Sequence, residues 1–585
     1  MFALRIGLLA EGGFPFAAGE SPGWCDRLVR GLAHHEFDVF AFAVDAAQET
    51  SGLVPLPPQV RAVHVAPLGR PAPGERRYGR ADRRRFAEHF TELATALAAG
   101  AAGAVETGAA GEADGQDRFA SGLYGLAELA RVAGGPGRPL RSEQAVRILE
   151  RACRAPGAHR VVQGARVADL VAVAGHLDRA LRPLAAGWYG DRGGGAPSGG
   201  SRSGGPVHGG PAGGGLAGVD LCHALSGGPA ALPGLLARRF FGTPLLVTEY
   251  GVRLRRHYLE SGPGTHAGGS VTVRALTAAF HRRLAAETYA KAALVTPGNA
   301  HARRWALHLG AERRRLRTVY PGMDSTRFTE ADRSMPAGAD DRTLVWTGRI
   351  EPAGDLIALL HAFAEIRREE PAAHLVVVET GPSPGAHAGY RDHCRALAAR
   401  LFPDEAAAEP ADAPAAGASP VSFEAVGDPA LPDRAAAYAT GGITVFSSAV
   451  AGFPVGLVEA MFCGRATVST DVGAVREVIG GTGLVVPPRK PRALADACLA
   501  LLRDPARRAR LGAAARARAV ELFAAEQNVG AFGRIYLELV SRRTAAAPAA
   551  GGPRPFAHPP EAHLPSRPAA SPAPGVRPLL EGADR

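Results

Sequence analysis

Short apolar runs alternate along most of the chain with longer stretches whose apolar residues recur every three or four positions. The clearest example begins with the β-branched run Ile443–Phe446 and continues through a Gly-Phe-Pro turn into a short helical stretch that carries Glu459. A second apolar run, 466–469, follows. An apolar run, helical periodicity and another apolar run are typical of a βαβ unit with parallel strands. The pattern therefore predicts an α/β fold.

The same alternation continues on both sides of Pro321, which predicts two doubly wound domains that face each other across a cleft. We place the first domain at residues 1–320 and the second at 321–520, and a further helix covers 521–542. The predicted strands include 5–10, 38–44, 60–65, 343–347, 374–378, 421–426, 443–446 and 466–469.

Two segments lack this periodicity. Residues 190–218 are almost entirely Gly, Ser, Pro and Ala, and residues 543–585 are rich in Pro and Ala. Such segments cannot bury enough apolar surface to offset the entropy lost on ordering. We therefore predict a mobile Gly-rich insertion in the first domain and a disordered C-terminal tail.

Length and charge limit the class of protein. The 585 residues, 46% of them hydrophobic, are too many for one core and suit two or three domains. A formal charge of +11 would ordinarily favour nucleic acid or a membrane surface as a partner. However, Lys occurs only at 291 and 490, while Arg, Ala, Gly and Pro abound. Because a GC-rich genome imposes this bias on any protein, we predict no nucleic-acid binding.

The cysteines and the apolar N-terminus bear on metal binding and on the cellular compartment of the protein. Six cysteines are widely scattered without a Cys-x-x-Cys pair, which argues against a metal site or a disulfide framework. The apolar start is interrupted by Glu11 too early for a signal peptide, and no apolar run reaches the length of a membrane span. We predict a soluble cytoplasmic protein without a metal.

The loop after the strand 443–446 carries the first candidate chemistry. The loop Gly452–Val455 leads into a helix N-terminus, whose free N–H groups and positive dipole end suit an anion such as a diphosphate. Glu459 lies about one turn further on, where its carboxylate can accept hydrogen bonds from sugar hydroxyls. The alternatives are an ordinary turn and an ordinary carboxylate on a helix surface.

Gly452, Phe453, Pro454 and Glu459 resemble the nucleotide-sugar signature of retaining glycosyltransferases of family 4, which have the two-domain GT-B fold. The resemblance implies a nucleotide-diphosphate sugar as donor, with its ribose on Glu459, and no cofactor. The family pattern has a first Glu immediately before the Gly-Phe-Pro turn, where this chain has Ala451. In this fold the last helix crosses back to the first domain.

Two other places resemble the glycosyltransferases that serve Pel-type exopolysaccharide synthesis. The Gly-rich turn around Gly13 follows the first strand, and the resemblance implies that it lies over the donor and acceptor cleft. A Thr-Glu-Tyr-Gly corner has Tyr250 where those relatives have a His at the reacting sugar. Tyrosine can donate a hydrogen bond but is no base near neutral pH, because its reference pKa is about 10. We interpret the nearby His223 and His257 as surface or structural residues.

A third motif resembles the family pattern Gly-Arg-x-x-x-x-Lys-Asp, in which the Arg and Lys hold the leaving diphosphate. Gly348 and Arg349 match it, whereas Gly354 stands at the Lys position. Loss of one charged donor is worth roughly 2 to 4 kcal/mol of transition-state stabilisation, or about 30-fold to nearly 1000-fold in rate. The alternative for Arg349 is a surface residue that follows a strand.

These motifs leave two main hypotheses and a minor one. The first is a retaining glycosyltransferase, with Arg349 and Tyr250 at the reacting centre, that acts on a glycan or small-molecule acceptor. Its context would be exopolysaccharide or cell-envelope synthesis, with a membrane polysaccharide-export complex as a partner. The second is a catalytically degenerate GT-B shell that binds nucleotide or a partner subunit. Other GT-B enzymes, such as sugar epimerases, form the minor alternative.

Overall fold

The computed structural model describes residues 3–16, 22–70, 77–102, 104–189, 215–260, 269–328, 342–381, 388–403, 419–429 and 431–546. The chain up to Val540 forms one compact unit. From Ser541 onward, only the end of the last helix is described.

The first half of this unit is built on a sheet of six parallel strands in the order β3-β2-β1-β4-β5-β6. The order reverses between β1 and β4, which makes the sheet doubly wound. The strands are β1 Arg5–Glu11, β2 Glu36–Ala43, β3 Val60–Pro67, β4 Leu221–Ala224, β5 Leu245–Glu249 and β6 Leu294–Pro297.

The second half repeats this design with strand order β12-β11-β10-β7-β8-β9, again parallel, and the reversal lies between β7 and β10. The predicted α/β class and the two doubly wound domains are therefore confirmed. The strands are β7 Thr343–Gly348, β8 His374–Glu379, β9 Val421–Ala425, β10 Ile443–Phe446, β11 Ala466–Thr470 and β12 Leu484–Val486.

Helices cover both sheets. In the first half they are α1 Pro22–Gly31, α2 Ala46–Ser51, α3 Arg80–Ala99, α4 Ala104–Ala133, α5 Gly137–Leu140, α6 Glu143–Arg154, α7 Arg160–Gln163, α8 Val167–Leu181, α9 Leu232–Phe241, α10 Arg253–Glu260, α11 Val271–Lys291 and α12 Ala300–His308. In the second half they are α13 Leu356–Glu369, α14 Ala388–Leu401, α15 Arg434–Ala439, α16 Val455–Phe462, α17 Val475–Ile479, α18 Pro491–Leu502, α19 Pro505–Phe523 and α20 Ala525–Ala546.

Strand β1 shows how the sequence fixes the layers. Successive side chains of a strand point to opposite faces of the sheet. Leu9 accordingly belongs to the core beneath the helices α3, α4 and α6, whereas Ile6 and Leu8 belong to the core on the other face. Because both faces are covered, the strand is apolar from residue 6 to residue 10 instead of alternating.

The last helix packs on the first sheet. Its residues Phe532, Ile535, Tyr536 and Leu539 are buried in the same core as Ile6, at spacings of three, one and three that form a single helical face. The helix follows α19 directly, at the point where the backbone N–H of Met323 donates to the carbonyl of Phe523 over 2.9 Å. The two halves of the unit are therefore joined at adjacent points.

The two segments without periodicity lie mostly outside the described residues. This applies to 190–214 of the predicted insertion and to 547–585 of the predicted tail. The described end of the insertion differs from a mobile loop, because Leu216–Gly218 form a 3-10 helix in which Leu216 and Ala217 are buried. The apolar side chain of Leu216 anchors this part of the segment in the core.

Candidate functional site

In doubly wound sheets, ligands bind beyond the carboxyl ends of the strands at the point where the strand order reverses. A cavity of about 640 Å³ lies at this point of the first sheet, beyond β1, β4 and β5. Its lining includes Gly13 and Tyr250, and its polar groups are Glu11, Gln48, His176, Arg179, Ser226, Arg253, Arg256, Glu260, Thr277 and His281. The size suits a sugar or a comparable polar molecule.

A smaller cavity of about 190 Å³ lies at the corresponding point of the second sheet. Gly348, Ala451 and Pro454 line it, together with Thr347, Thr380, Arg434, Phe446, Ser448, Gly456, Ser469, Val472 and Val475. We call it the donor pocket, after the sugar donor that the sequence motifs predict for this part of the chain. The structure thus brings Gly348 and Pro454 of the predicted donor site to one pocket, and it places Gly13 and Tyr250 at the other cavity.

Glu459 is buried on α16, where Oε2 of its carboxylate has two partners. Arg434 approaches it to 2.6 Å, and the hydroxyl of Tyr438 donates to it over 3.0 Å. Burial raises the pKa of Glu459, and the charge of Arg434 opposes this rise. Arg434 also lines the donor pocket, so the ion pair connects the buried carboxylate with the pocket wall.

The Gly-Phe-Pro turn is held by the loop that follows β11. The carbonyl of Gly452 accepts a hydrogen bond from the N–H of Ala474 over 3.1 Å. Gly473 has φ +58, and a Cβ there would lie 2.4 Å from the same carbonyl oxygen, so only glycine allows the two loops to approach so closely. Phe453 packs on Phe523 with ring centroids 5.7 Å apart and is not part of the pocket lining.

Arg349 lies outside the donor pocket. Its guanidinium is 3.5 Å from Glu351, and 47% of its side chain is exposed. Arg349 therefore has the position of a surface residue that follows a strand, which is the alternative given above, and its side chain is not positioned at a phosphate site.

Gly354, at the position where the family pattern has Lys, faces the indole of Trp346. A Cβ at Gly354 would lie 3.2 Å from that ring, which is tighter than an ordinary van der Waals contact. Ser447 fixes this arrangement, since it accepts from the indole N–H over 3.1 Å and donates to the Gly354 carbonyl over 2.7 Å. Glycine at this position therefore fits its surroundings.

Tyr250 is tied to the last helix. Its hydroxyl accepts from the side-chain amide of Asn528 over 3.0 Å, and its ring meets that of Trp24 edge to face at 4.9 Å. Burial raises the pKa of this phenol, so it remains protonated and can act only as a hydrogen-bond donor or acceptor. The prediction that it is no base is consistent with this environment.

Neither nearby histidine is placed as a replacement base. His223 is buried between the hydroxyls of Tyr536, at 2.8 Å, and Thr248, at 2.7 Å. Burial lowers its pKa to about 3. One ring nitrogen of His257 lies 3.1 Å from the carbonyl of Arg274. Both histidines have structural partners, in line with their interpretation from the sequence.

Two arginines of the first half reach the second half, and the sequence patterns missed both. Nη2 of Arg255, on α10, donates to the carbonyl of Ala451 over 2.8 Å. Nη2 of Arg27, on α1, donates to the carbonyl of Gly322 over 2.8 Å. The local sequence pattern could not predict these contacts, because the partner residues lie far away in the sequence. For the same reason, the sequence did not predict that Arg434 lines the donor pocket and pairs with Glu459.

In the described parts of the chain, His, Cys, Asp and Glu form no cluster of three or more that is placed to hold a metal ion. The helices described here also include none with the length and apolar character needed to cross a bilayer.

Two family models match the chain. Residues 341–504 match the family described as "Glycosyl transferases group 1". Residues 4–160 and 213–314 match "Domain of unknown function (DUF3492)". The second sheet with its donor pocket therefore lies in the part of the chain that matches the glycosyltransferase group 1 model, and the first sheet lies in the part that matches the domain of unknown function.

Curated relatives agree with this class. The chain is 32% identical to a D-inositol 3-phosphate glycosyltransferase of Rhodococcus opacus over 216 residues, which are 36% of this chain and 45% of the relative. It is 31% identical to the protein of the same name from Kineococcus radiotolerans over 226 residues, which are 36% of this chain and 49% of that relative. The chain thus spans about half the length of the curated relatives it matches.

A solved structure extends the likeness of fold to nearly the whole chain. The sucrose-phosphate synthase of Thermosynechococcus elongatus superposes with a TM-score of 0.50 over 92% of this chain and 100% of that one, at 16% identity. Together with the two doubly wound sheets, this likeness identifies the GT-B fold expected from the sequence.

Proposed function

We propose that the protein is a retaining glycosyltransferase of family 4 that transfers a sugar from a nucleotide-diphosphate donor to an acceptor. The donor occupies the pocket of the second sheet, and the acceptor occupies the cavity of about 640 Å³ in the first. One observation carries the proposal: the predicted donor residues Gly348 and Pro454 line one pocket inside the glycosyltransferase group 1 domain. The acceptor is a glycan or a small polar molecule.

The roles of the chain's own residues follow from their positions. Glu459, fixed by Arg434 and Tyr438, offers its carboxylate to the hydroxyls of the nucleotide's ribose. Arg349 has enough freedom at the surface to turn from Glu351 towards a phosphate, which it can grip with two N–H groups. Tyr250 donates its phenol hydrogen to the acceptor or to the transferred sugar.

A nucleotide-binding shell without turnover is the second candidate function. It is favoured by Ala451 and Gly354, which offer no charged side chain where the family pattern has Glu and Lys. Gly354 packs closely against Trp346. This packing favours the enzyme instead, because it indicates a site that is adapted to glycine at this position. A panel of nucleotide sugars, read by released nucleoside diphosphate, distinguishes the two functions.

We expect the wild-type chain to release nucleoside diphosphate from at least one sugar donor in the panel. Glu459→Gln should abolish most of this release, whereas the exposed Gln527→Ala should not change it. A shell would instead be silent and would gain activity only in the combined variant Tyr250→His, Gly354→Lys and Ala451→Glu. The three changes are combined because groups of one site act as a unit.

A further inference from the structure

The short helix α10 presents arginines to two different places. Arg253 and Arg256, three positions apart, share one face and line the cavity of the first sheet. Arg255 lies on another face, and its Nη2 reaches the carbonyl of Ala451 in the other half at 2.8 Å. This contact joins residues that are 196 positions apart, so the fold and not local sequence sets it.

Ala451, whose carbonyl Arg255 contacts, lines the donor pocket together with Gly348 and Pro454. The pocket measures about 190 Å³, below the roughly 300 Å³ at which ligand sites usually begin. A nucleotide diphosphate seated there would extend out of the pocket into the cleft. Its phosphates would then pass the place where Arg255 meets Ala451.

Arg255 keeps its charge unpaired among the described residues. A carbonyl offers a partial charge only, and within the described parts of the chain no carboxylate lies within ion-pair distance of this guanidinium and no further hydrogen bond engages it. The side chain is partly buried, and burial lowers its pKa. A partly buried cation without an anion is unfavourable in a folded protein, so its position calls for an anionic ligand.

We infer that Arg255 binds the diphosphate of the donor from the side of the first domain and supplies the positive charge that Gly354 does not. The inference rests on the proposed glycosyl transfer. As the bond between the anomeric carbon and the β-phosphate oxygen breaks, its electron pair moves to that oxygen. The acceptor oxygen bonds to the anomeric carbon, and its proton passes to the departing diphosphate. Arg255 stabilises the negative charge that grows on the phosphate.

The test compares a nucleoside diphosphate with its nucleoside, because only the former carries the group that Arg255 would bind. UDP and uridine, GDP and guanosine, and ADP and adenosine are titrated calorimetrically into the wild type, Arg255→Ala and Arg255→Lys. Arg255→Ala should weaken diphosphate binding by about 10- to 100-fold and leave nucleoside binding unchanged. Arg255→Lys should restore part of the loss, since it returns the charge without the planar fork.

Arg151→Ala is the matched control, because Arg151 is exposed on α6, a helix that packs against α3 and α8. The control should bind both ligands as the wild type does. Equal weakening of nucleoside and diphosphate in Arg255→Ala would overturn the inference, because it would mean that Arg255 only holds the domains together. Unchanged diphosphate binding would overturn it as well. If the wild type binds none of the pairs, the proposed function fails together with the inference.

Discussion

At the scale of single residues, the buried carboxylates of Glu459 and Glu249 differ in the groups that stabilise their negative charge. Glu459 has an ion pair with Arg434. Glu249, at the end of β5, has two hydrogen bonds instead of an ion pair: its Oε2 accepts from the N–H of Gly227 over 3.0 Å and from the hydroxyl of Tyr289 over 2.5 Å, and the charge of Arg256 adds to their effect. Its Oε1 is buried without a partner among the described residues. Burial raises the pKa of Glu249 to about 7.

This shift predicts a pH-dependent stability. The pKa of Glu249 is about 7 in the folded state against 4.5 ordinarily, so the folded state retains a proton that the unfolded state loses between these values. The contribution of this group is complete below the lower value and is lost as the pH rises through about 7. Glu249→Gln should remove that loss, because the amide oxygen can accept the same two hydrogen bonds.

The measurement is Tm between about pH 5 and pH 8 for the wild type, Glu249→Gln and the exposed control Glu526→Gln. We expect the Tm of Glu249→Gln to rise relative to that of the wild type as the pH increases, by the equivalent of about 3 kcal/mol at most. The control should follow the wild type. A Tm difference between Glu249→Gln and the wild type that stays constant across the range would refute the assignment.

At the scale of elements, local periodicity predicted strands well and contacts between elements poorly. The predicted strand 443–446 is β10, and the predicted 343–347 differs from β7 by one residue. The sequence pattern did not predict the Arg434–Glu459 and Arg255–Ala451 contacts, because tertiary packing decides which residues meet.

The last helix illustrates such a contact between elements. Asn528 of α20 is buried and accepts from the indole N–H of Trp24 over 3.1 Å. Its amide nitrogen donates to the hydroxyl of Tyr250 over 3.0 Å and to the carbonyl of Tyr320 over 2.6 Å. One side chain therefore joins α1, the end of β5 and the segment that enters the second domain.

Asn528→Ala should destabilise the protein more than a surface change in the same helix. It removes three hydrogen bonds, one of them from the buried indole N–H of Trp24, which should cost about 2 to 4 kcal/mol. Thermal unfolding of Asn528→Ala beside Gln527→Ala, whose side chain is exposed, measures the difference. Equal Tm values for the two variants would show that this cluster does not stabilise the junction.

At the scale of the whole molecule, the two domains contribute different parts of one cleft. The second domain holds the donor pocket, and the first contributes the large cavity and Arg255. The domains also meet where Glu477 of α17 accepts from the N–H of Ala300 over 2.7 Å and from the hydroxyl of Tyr320 over 2.9 Å. A ligand that contacts both walls should therefore stabilise the compact unit as a whole.

A nucleoside diphosphate should raise the Tm of the wild-type chain, because a ligand that binds only the folded state stabilises it by RT ln(1 + [L]/Kd). At a concentration of about 100 times Kd this amounts to about 2.7 kcal/mol. Glu459→Ala should reduce the shift caused by a bare nucleoside, since it removes the carboxylate expected to hold the ribose. Gly354→Lys should leave the nucleoside shift unchanged once its own effect on Tm, from the contact with Trp346, is subtracted. If UDP, GDP and ADP at millimolar concentration all leave the Tm of the wild type unchanged, both the transferase and the nucleotide-binding shell lose their main support.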